Sequence, residues 1–127
     1  MKNPPEIKYF EMNFGYLLLT FSDGCCPKID SYDEGEKEQG SFIIQTEKVN
    51  ENCHYVLEGG EWQIGLWICG DSWWYGKLSD KGQCKGYYHA STGSKPNVHV
   101  QDDSLQWKSI DGGYDVDYEF KCVDLCL

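Results

Sequence analysis

Seven cysteines in a chain of 127 residues constrain this sequence more than any other feature. So many cysteines in a short chain are typical of a domain held together by disulfides in an oxidising, extracellular environment. We therefore predict a secreted, disulfide-stapled protein. Because the number is odd, one thiol is expected to be free, to pair with another chain, or to belong to part of a longer precursor. The cysteines are Cys25, Cys26, Cys53, Cys69, Cys84, Cys122 and Cys126.

The first residues do not look like a secretory signal. Met1–Glu6 is polar and contains proline, and the apolar run Tyr16–Phe21 is short and lies too far into the chain. We expect the numbered chain to be a form from which the signal has been removed or in which it was never included, and the alternative is a reduced intracellular protein. No stretch reaches the roughly 20 apolar residues of a membrane-spanning helix, and so no membrane span is predicted.

The charge of the chain argues against two classes of partner. The formal net charge is −10, and all 11 basic residues are lysine. Recognition of phosphates and bases relies heavily on the forked donors of arginine, and anionic lipid surfaces attract basic segments. We predict no nucleic-acid partner and no binding to anionic membranes.

Aromatic and glycine residues indicate β structure. The chain has 14 Gly, and Phe, Trp and Tyr make up 15% of it. Aromatic side chains pack well on a pleated sheet, and glycine supplies the backbone conformations of tight turns. The clearest alternation of apolar residues is in Trp62–Cys69, and Gly70-Asp71 follows it as a turn. We predict one all-β domain over residues 1–127, an antiparallel sandwich or barrel of short strands.

Turn signals divide the chain into short predicted strands. The stretch around residues 27–40 carries a cluster of charged residues, Asp33–Glu38, and is predicted to be an exposed acidic loop. The last predicted strand alternates aromatic or apolar residues with carboxylates, as a half-buried strand does. The strands are Ile7–Met12, Tyr16–Phe21, Gly40–Val49, Cys53–Leu57, Trp62–Cys69, Ser72–Leu78, Gly86–His89, Val98–Val100, Leu105–Ile110 and Tyr114–Cys122.

The carboxylates near the C-terminus suit calcium in chemical type but not in spacing. Calcium takes several oxygen ligands at about 2.3–2.6 Å, and Asp111, Asp115, Asp117 and Glu119 carry such oxygens. These residues alternate with aromatic ones, which indicates a solvated face of a strand.

Cysteine and histidine together suggest zinc or a nucleophile, and neither pattern is met. Cys84, His89, Cys122 and Cys126 offer zinc ligands, but there is no Cys-x-x-Cys pair. Cys53 and His54 are neighbours in a predicted strand, where adjacent side chains point to opposite faces. We predict no metal, no cofactor and no catalytic residue, and we expect that the protein is not an enzyme.

Aromatic side chains are the predicted contact residues. They outnumber the inward positions of the predicted strands, and of the consecutive Trp73 and Trp74 one faces in and the other out. An exposed aromatic patch usually marks a ligand or a partner, whereas a covering loop would make the same residues part of the core. The residues predicted to contact a ligand or partner are Trp67, Trp73, Trp74, Tyr75, Tyr87 and Tyr88.

The order of several short motifs resembles a family of extracellular Trp- and Cys-containing β-modules of secreted invertebrate proteins. The resemblance covers about two thirds of the chain and implies an extracellular, non-enzymatic interaction module. This sequence departs from the family pattern in two ways. It lacks the Cys-Pro expected after the central strands, and its Cys25-Cys26 pair has no counterpart in the family. The motifs are Gly40-Ser41-Phe42, Cys53-His54-Tyr55, Trp62-Gln63-Ile64-Gly65, Cys84, Trp107, Asp111-Gly112-Gly113-Tyr114 and Cys122.

These observations lead to one main hypothesis and two alternatives. The main hypothesis is a secreted structural or protein-interaction module that self-assembles through exposed aromatics, with the odd cysteine able to make that contact covalent. The first alternative is a lectin-like carbohydrate-binding module in which Trp73 or Trp74 stacks on a sugar ring. The second is a small secreted effector that acts on a basic target.

Overall fold

The computed structural model describes residues 24–33, 38–59, 63–93, 95 and 98–123. The predicted strands Ile7–Met12 and Tyr16–Phe21, the residue Trp62 and the seventh cysteine, Cys126, lie outside the described residues.

One curled antiparallel sheet forms the fold, and the predicted all-β class is confirmed. The described part of the chain contains eight strands in the order β7-β6-β5-β4-β3-β2-β1-β8. All neighbours in this order except β1 and β8 are also consecutive in sequence, as expected for a meander. The strands are β1 (Lys28–Tyr32), β2 (Glu38–Ile44), β3 (Tyr55–Leu57), β4 (Ile64–Cys69), β5 (Ser72–Lys77), β6 (Tyr88–Ser91), β7 (Trp107–Ser109) and β8 (Glu119–Cys122).

The segment of residues 114–122 hydrogen-bonds to β7 at one edge of the sheet and to β1 near the other. Near its start, Ser109 N donates to Tyr114 O at 2.8 Å, and Val116 N donates to Trp107 O at 2.9 Å. Its end, β8, pairs with β1, where Phe120 lies opposite Ser31. The ring of Phe120 therefore reaches that of Trp107 on β7, with centroids 5.0 Å apart. One extended segment thus links the two ends of the curled sheet.

The prediction of an exposed acidic loop around residues 27–40 is wrong for most of that stretch. Residues Lys28–Tyr32 form β1, which pairs with β2 on one side and with β8 on the other. Ile29 is fully buried, and Ser31 is also buried, with its hydroxyl donating to Gly40 O at 3.1 Å. Because β1 lies between β2 and β8, its backbone groups are hydrogen-bonded on both edges. One buried apolar side chain, that of Ile29, is then enough to keep the strand in place.

A second difference concerns Val98–Val100, which is predicted to be a strand. Both valines are buried, but the segment forms a loop and a turn. Trp73 Nε1 donates a hydrogen bond to Val98 O at 2.8 Å. The apolar residues of this segment therefore cover the core as a loop, which apolar periodicity cannot distinguish from a short strand.

The core fills the concave face of the curled sheet. Tyr55, Leu66, Phe42 and Trp73 are 2% exposed or less and come from four different strands. Phe42 contacts the ring of Phe120 edge-on, with centroids 5.9 Å apart. Burying each such side chain contributes on the order of 1.5–3 kcal/mol to folding. The Tyr55 hydroxyl is also satisfied, since it donates to Cys26 O at 2.8 Å.

Three disulfides link the six cysteines of the described residues. They are Cys25–Cys53, Cys26–Cys122 and Cys69–Cys84, with sequence separations of 28, 96 and 15. Cys25 and Cys26 are adjacent in the sequence but bond to different cysteines. Cys26–Cys122 ties β1 to β8. These pairs use all six cysteines of the described residues, and the seventh, Cys126, lies outside that part of the chain.

Candidate interaction surface on the outer face

A row of large side chains crosses the convex, outer face of the sheet. Trp67 of β4 lies opposite Trp74 of β5, Trp74 opposite His89 of β6, and His89 opposite Lys108 of β7. These residues share a face because each sits directly across the ladder from the next. The row is the framework on which the outer surface is built.

A loop covers one end of this row. Residues 78–86, called here the covering loop, begin with the 3-10 turn Leu78–Asp80 and return to β5 at Gly86. Trp67 is fully buried and its Nε1 donates to Gln83 O at 2.8 Å. A Cβ at Gly86 would lie 2.6 Å from Tyr75 O, so only glycine lets the loop come this close to β5. The covering loop therefore turns an outward tryptophan into part of the interior.

Trp74, the next residue in the row, is only half-buried and its ring is held in place. The ring stacks on His89, with centroids 5.0 Å apart and planes 26° apart. Its Nε1 donates to Cys69 O at 3.0 Å. A rigid aromatic ring loses little entropy on binding, which suits a contact residue.

A shallow hollow of about 340 Å³ lies beside Trp74. Two large apolar residues on its wall, Tyr87 and Ile110, are each 46% exposed, and Ile110 N donates to Tyr87 O at 2.9 Å. Exposed large apolar side chains that adjoin one another are the usual mark of a contact surface. The hollow is lined by Trp74, Lys77, Asp80, Cys84, Lys85, Gly86, Tyr87 and Ile110.

Charges of both signs surround the hollow. Lys77 and Lys85 line it on the side of β5 and the covering loop, and Lys85 Nζ lies 3.8 Å from Asp80 Oδ1. Beyond Ile110, Asp111 and Asp115 are exposed, and Asp115 Oδ1 lies 3.4 Å from Lys108 Nζ. Each group of charges thus contains both signs, with Asp80 beside Lys85 and Lys108 beside Asp115.

The structure places the six predicted contact residues in three different environments. Trp74 and Tyr87 lie on the outer surface and line the hollow. Trp67 and Trp73 are buried, under the covering loop and in the core respectively, which contradicts the prediction that they contact a partner. The prediction that one of Trp73 and Trp74 faces in and the other out is confirmed, and Trp73 is the inward one.

Tyr75 and Tyr88 belong to the interior face, where they meet Tyr118. The Tyr88 and Tyr118 rings lie edge-to-face with centroids 4.9 Å apart, and Tyr75 and Tyr88 are 5.3 Å apart. Burial raises the pKa of Tyr75 above its usual value. Burial, followed by a hydrogen bond with Tyr88, raises the pKa of Tyr118 strongly. These two predicted residues therefore pack within the fold.

Of the residues that line the hollow, Trp74 and Tyr87 were predicted contacts and the others were not. Ile110 and Lys85 are two of those that sequence reasoning missed. Ile110 is an apolar residue directly before the turn Asp111-Gly112-Gly113. Turn residues of this kind offer an apolar side chain little to pack against. That position was a signal of surface exposure. Lys85 carries no such signal, since its place depends on the path of the covering loop.

The metal patterns considered from sequence are not assembled. Among the described residues, no group of three or more His, Cys, Asp and Glu is placed to hold a metal ion. Cys84 and Cys122 are bonded to Cys69 and Cys26, so neither offers a thiolate to zinc. Cys53 is bonded to Cys25, which removes the thiol from beside His54.

No family model matches the chain. Neither a curated protein nor a solved structure matches it significantly. The resemblance to extracellular β-modules therefore stays a prediction. In the described residues, no helix is long and apolar enough to cross a membrane.

Proposed function

We propose that this chain is a secreted interaction module that associates with a second copy of itself through the hollow on its outer face. The observation that carries the proposal is the pair of adjoining exposed residues, Tyr87 and Ile110, beside the immobilised ring of Trp74. Burying such residues against another protein surface is favourable because it removes apolar area from water.

The secreted location rests on the cysteine chemistry. Three disulfides in a small domain persist in oxidising compartments and are rare where thiols are kept reduced. The disulfides also stabilise the fold, in addition to the hydrophobic core, because they constrain the unfolded chain.

The distribution of charge favours a second copy as the partner. A two-fold axis through the hollow would bring the rim that carries Lys77, Lys85 and Asp80 against the same rim of the other copy. The apolar centre would then meet itself. A surface with an apolar middle and charges of both signs at its rim is self-complementary, although the chain carries a net charge of −10.

The lining of the hollow favours a protein over a sugar. A sugar ring needs several convergent polar groups for its hydroxyls, in addition to an aromatic platform. Here one carboxylate, Asp80, lines the hollow, and Lys85 is its neighbour. Apolar side chains provide the larger part of the wall.

The experiment measures the mass of the native protein by sedimentation over a range of concentrations. We expect a dimer that dissociates on dilution, and Tyr87→Ser and Ile110→Ser each weaken it by at least about 2 kcal/mol, or roughly thirtyfold in Kd. Tyr114→Ser is the matched control, because Tyr114 is 63% exposed but does not line the hollow. A monomer at every concentration, or equal effects of all three changes, would overturn the proposal.

The odd cysteine extends the same experiment. If Cys126 pairs with a second copy, an oxidant such as molecular oxygen takes up the two electrons and two protons that the two thiols lose. Mass analysis without reductant then gives twice the chain mass, and Cys126→Ser returns it to one chain. A single-chain mass before reduction refutes the covalent link and leaves the non-covalent dimer to the sedimentation result.

A glycan-binding role is the second candidate, and the fixed ring of Trp74 is the observation that favours it. Stacking on a sugar needs a rigid, partly exposed aromatic ring. On a glycan array this role predicts binding that Trp74→Ala abolishes and Asp80→Asn weakens. An empty array removes this candidate.

A further inference from the structure

His54 is a buried titratable residue whose ring nitrogens have no hydrogen-bond partner among the described residues. It directly precedes β3 and is 2% exposed. Neither ring nitrogen makes a hydrogen bond of ordinary distance and angle. A buried polar group without a partner costs on the order of 1–3 kcal/mol, so the site holds an uncompensated imidazole.

Two loops meet near this histidine. Residues 45–52, called here the latch loop, are tied to the covering loop by an ion pair between Glu47 Oε1 and Lys81 Nζ at 3.0 Å. Asn50 Nδ2 donates to Ile68 O at 2.8 Å and to Gly82 O at 3.1 Å. The backbone of His54 belongs to the same arrangement, since Gln45 N donates to His54 O at 2.9 Å. These contacts are polar, and the side chain of Val49 also lies beside Gly82, where a Cβ would stand 3.5 Å from Val49 Cγ1.

The charged groups that act on the imidazole are Lys81 and Glu47. Burial lowers the pKa of His54 below 6.5, and the positive charge of Lys81 lowers it further. The carboxylate and the backbone of Glu47 act in the opposite direction but more weakly. The folded arrangement therefore favours the neutral ring.

We propose that His54 makes the contact between the latch loop and the covering loop sensitive to acid. A proton on the buried ring creates a cation that is repelled by the ammonium group of Lys81, and Glu47 opposes this effect only weakly. The ring gains solvation when the latch loop lifts, so acid favours the open form. The reagent is a proton from solvent, and the change is reversible.

The direction of the pH effect follows from the two forms. In the open form the ring takes up a proton near pH 6.5, whereas in the closed form it does so at lower pH. Above pH 6.5 both forms are neutral and the latch is closed. As the pH falls below that value, opening increases by up to about tenfold per pH unit, until the closed form also takes up a proton.

The covering loop connects this device to the outer surface. It supplies Asp80, Cys84, Lys85 and Gly86 to the hollow. Lifting the latch loop frees the part around Lys81 and Gly82, while the disulfide Cys69–Cys84 holds the far end. If the hollow is the self-association site proposed above, acid weakens that association. This consequence rests on the proposed function, whereas the latch itself does not.

The test follows amide hydrogen exchange of the full chain at pH 7.5 and pH 5.0, corrected for the intrinsic pH dependence of exchange. We expect the amides of Gln45, Asn52 and Gln83 to lose protection by up to about thirtyfold at pH 5.0. The amides that join β4 and β5 serve as the internal reference. His54→Phe, which places an uncharged ring at the site, should abolish the difference between the two loops and the reference.

His99→Gln is the matched control, because His99 is a partly exposed histidine that lines a small pocket with Lys48 and Asn52 of the latch loop. This variant should keep the acid response. If His54→Phe does not fold, NMR titration of the His54 ring in the unchanged protein decides the question. A pKa below 6.5 supports the latch, and one at or above 6.5 overturns it. Unchanged loop protection at pH 5.0 also overturns it. Both readouts are independent of self-association, so a monomeric protein can still carry the latch.

Discussion

Removing the disulfide Cys26–Cys122 should destabilise the protein more than removing Cys69–Cys84. Cys26–Cys122 spans 96 residues, and in a chain-entropy treatment a loop of that length contributes about 4.7 kcal/mol when it is the only cross-link. The other two disulfides shorten the path between its ends. That path runs through Cys25–Cys53 and Cys69–Cys84 and leaves a loop of about 55 residues, for which the contribution is about 4.2 kcal/mol.

The short disulfide provides the comparison. Cys69–Cys84 closes 15 residues and contributes about 3 kcal/mol in the same treatment. Cys26 is also 1% exposed, so replacing it with alanine leaves a small void that adds about 1 kcal/mol. We therefore expect Cys26→Ala/Cys122→Ser to lose about 2 kcal/mol more than Cys69→Ser/Cys84→Ser.

Urea unfolding followed by tryptophan fluorescence measures this difference. Trp67, Trp73 and Trp107 are at most 3% exposed, so unfolding moves all three from the interior to water. The dependence of the unfolding free energy on urea should also steepen in the Cys26/Cys122 variant, because its unfolded chain is more expanded. Equal losses in the two variants, or a larger loss in the Cys69/Cys84 variant, would refute the reasoning.

Three further predictions concern single residues. Gly86→Ala should lower the urea midpoint clearly, because its Cβ would lie 2.6 Å from Tyr75 O. Gly93→Ala is the control, since its Cβ would meet no atom within 4 Å. This control should cost only the roughly 1 kcal/mol of a left-handed backbone at a residue other than glycine. Trp67→Phe loses the indole hydrogen bond and should cost about 1–2 kcal/mol in the same assay, with little change in the circular dichroism of the sheet. The raised pKa of Tyr118 means that the unfolded chain releases this proton near pH 10 and the folded one later. Stability should therefore fall as the pH rises above 10, and Tyr118→Phe should reduce that fall.

The sequence predicts the middle of the sheet well because the signals there are local. The alternation in Trp62–Cys69 corresponds to β4, and Gly70-Asp71 is the turn that joins β4 to β5. Gly70 has the positive φ of 65° that the turn requires. The opposite orientations of Trp73 and Trp74 follow from strand geometry alone. Side-chain alternation and turn residues are sufficient to predict the strands wherever neighbouring strands of the sheet are also consecutive in sequence.

Features that depend on distant residues were not predicted. β1 carries little apolar character, and its place is set by pairing with β8 and by Cys26–Cys122. Trp67 has the pattern of an outward residue, yet the covering loop buries it, and no local pattern shows where a loop returns. The hollow has the same origin, because Ile110 and Tyr87 meet through the pairing of segments that are separate in the sequence.

The pairing of β1 with β8 also has a consequence for the order in which the protein can fold during synthesis. Strands β2 to β7 can join their neighbours as each one leaves the ribosome, and Cys69–Cys84 can close within the same stretch. One edge of β1 must wait until about 90 more residues have been made. Long-range pairing of this kind is slow and leaves a strand edge open to other chains. The lifetime of the exposed β1 edge, rather than the stability of the finished sheet, is therefore expected to decide how much of the protein aggregates before it is complete.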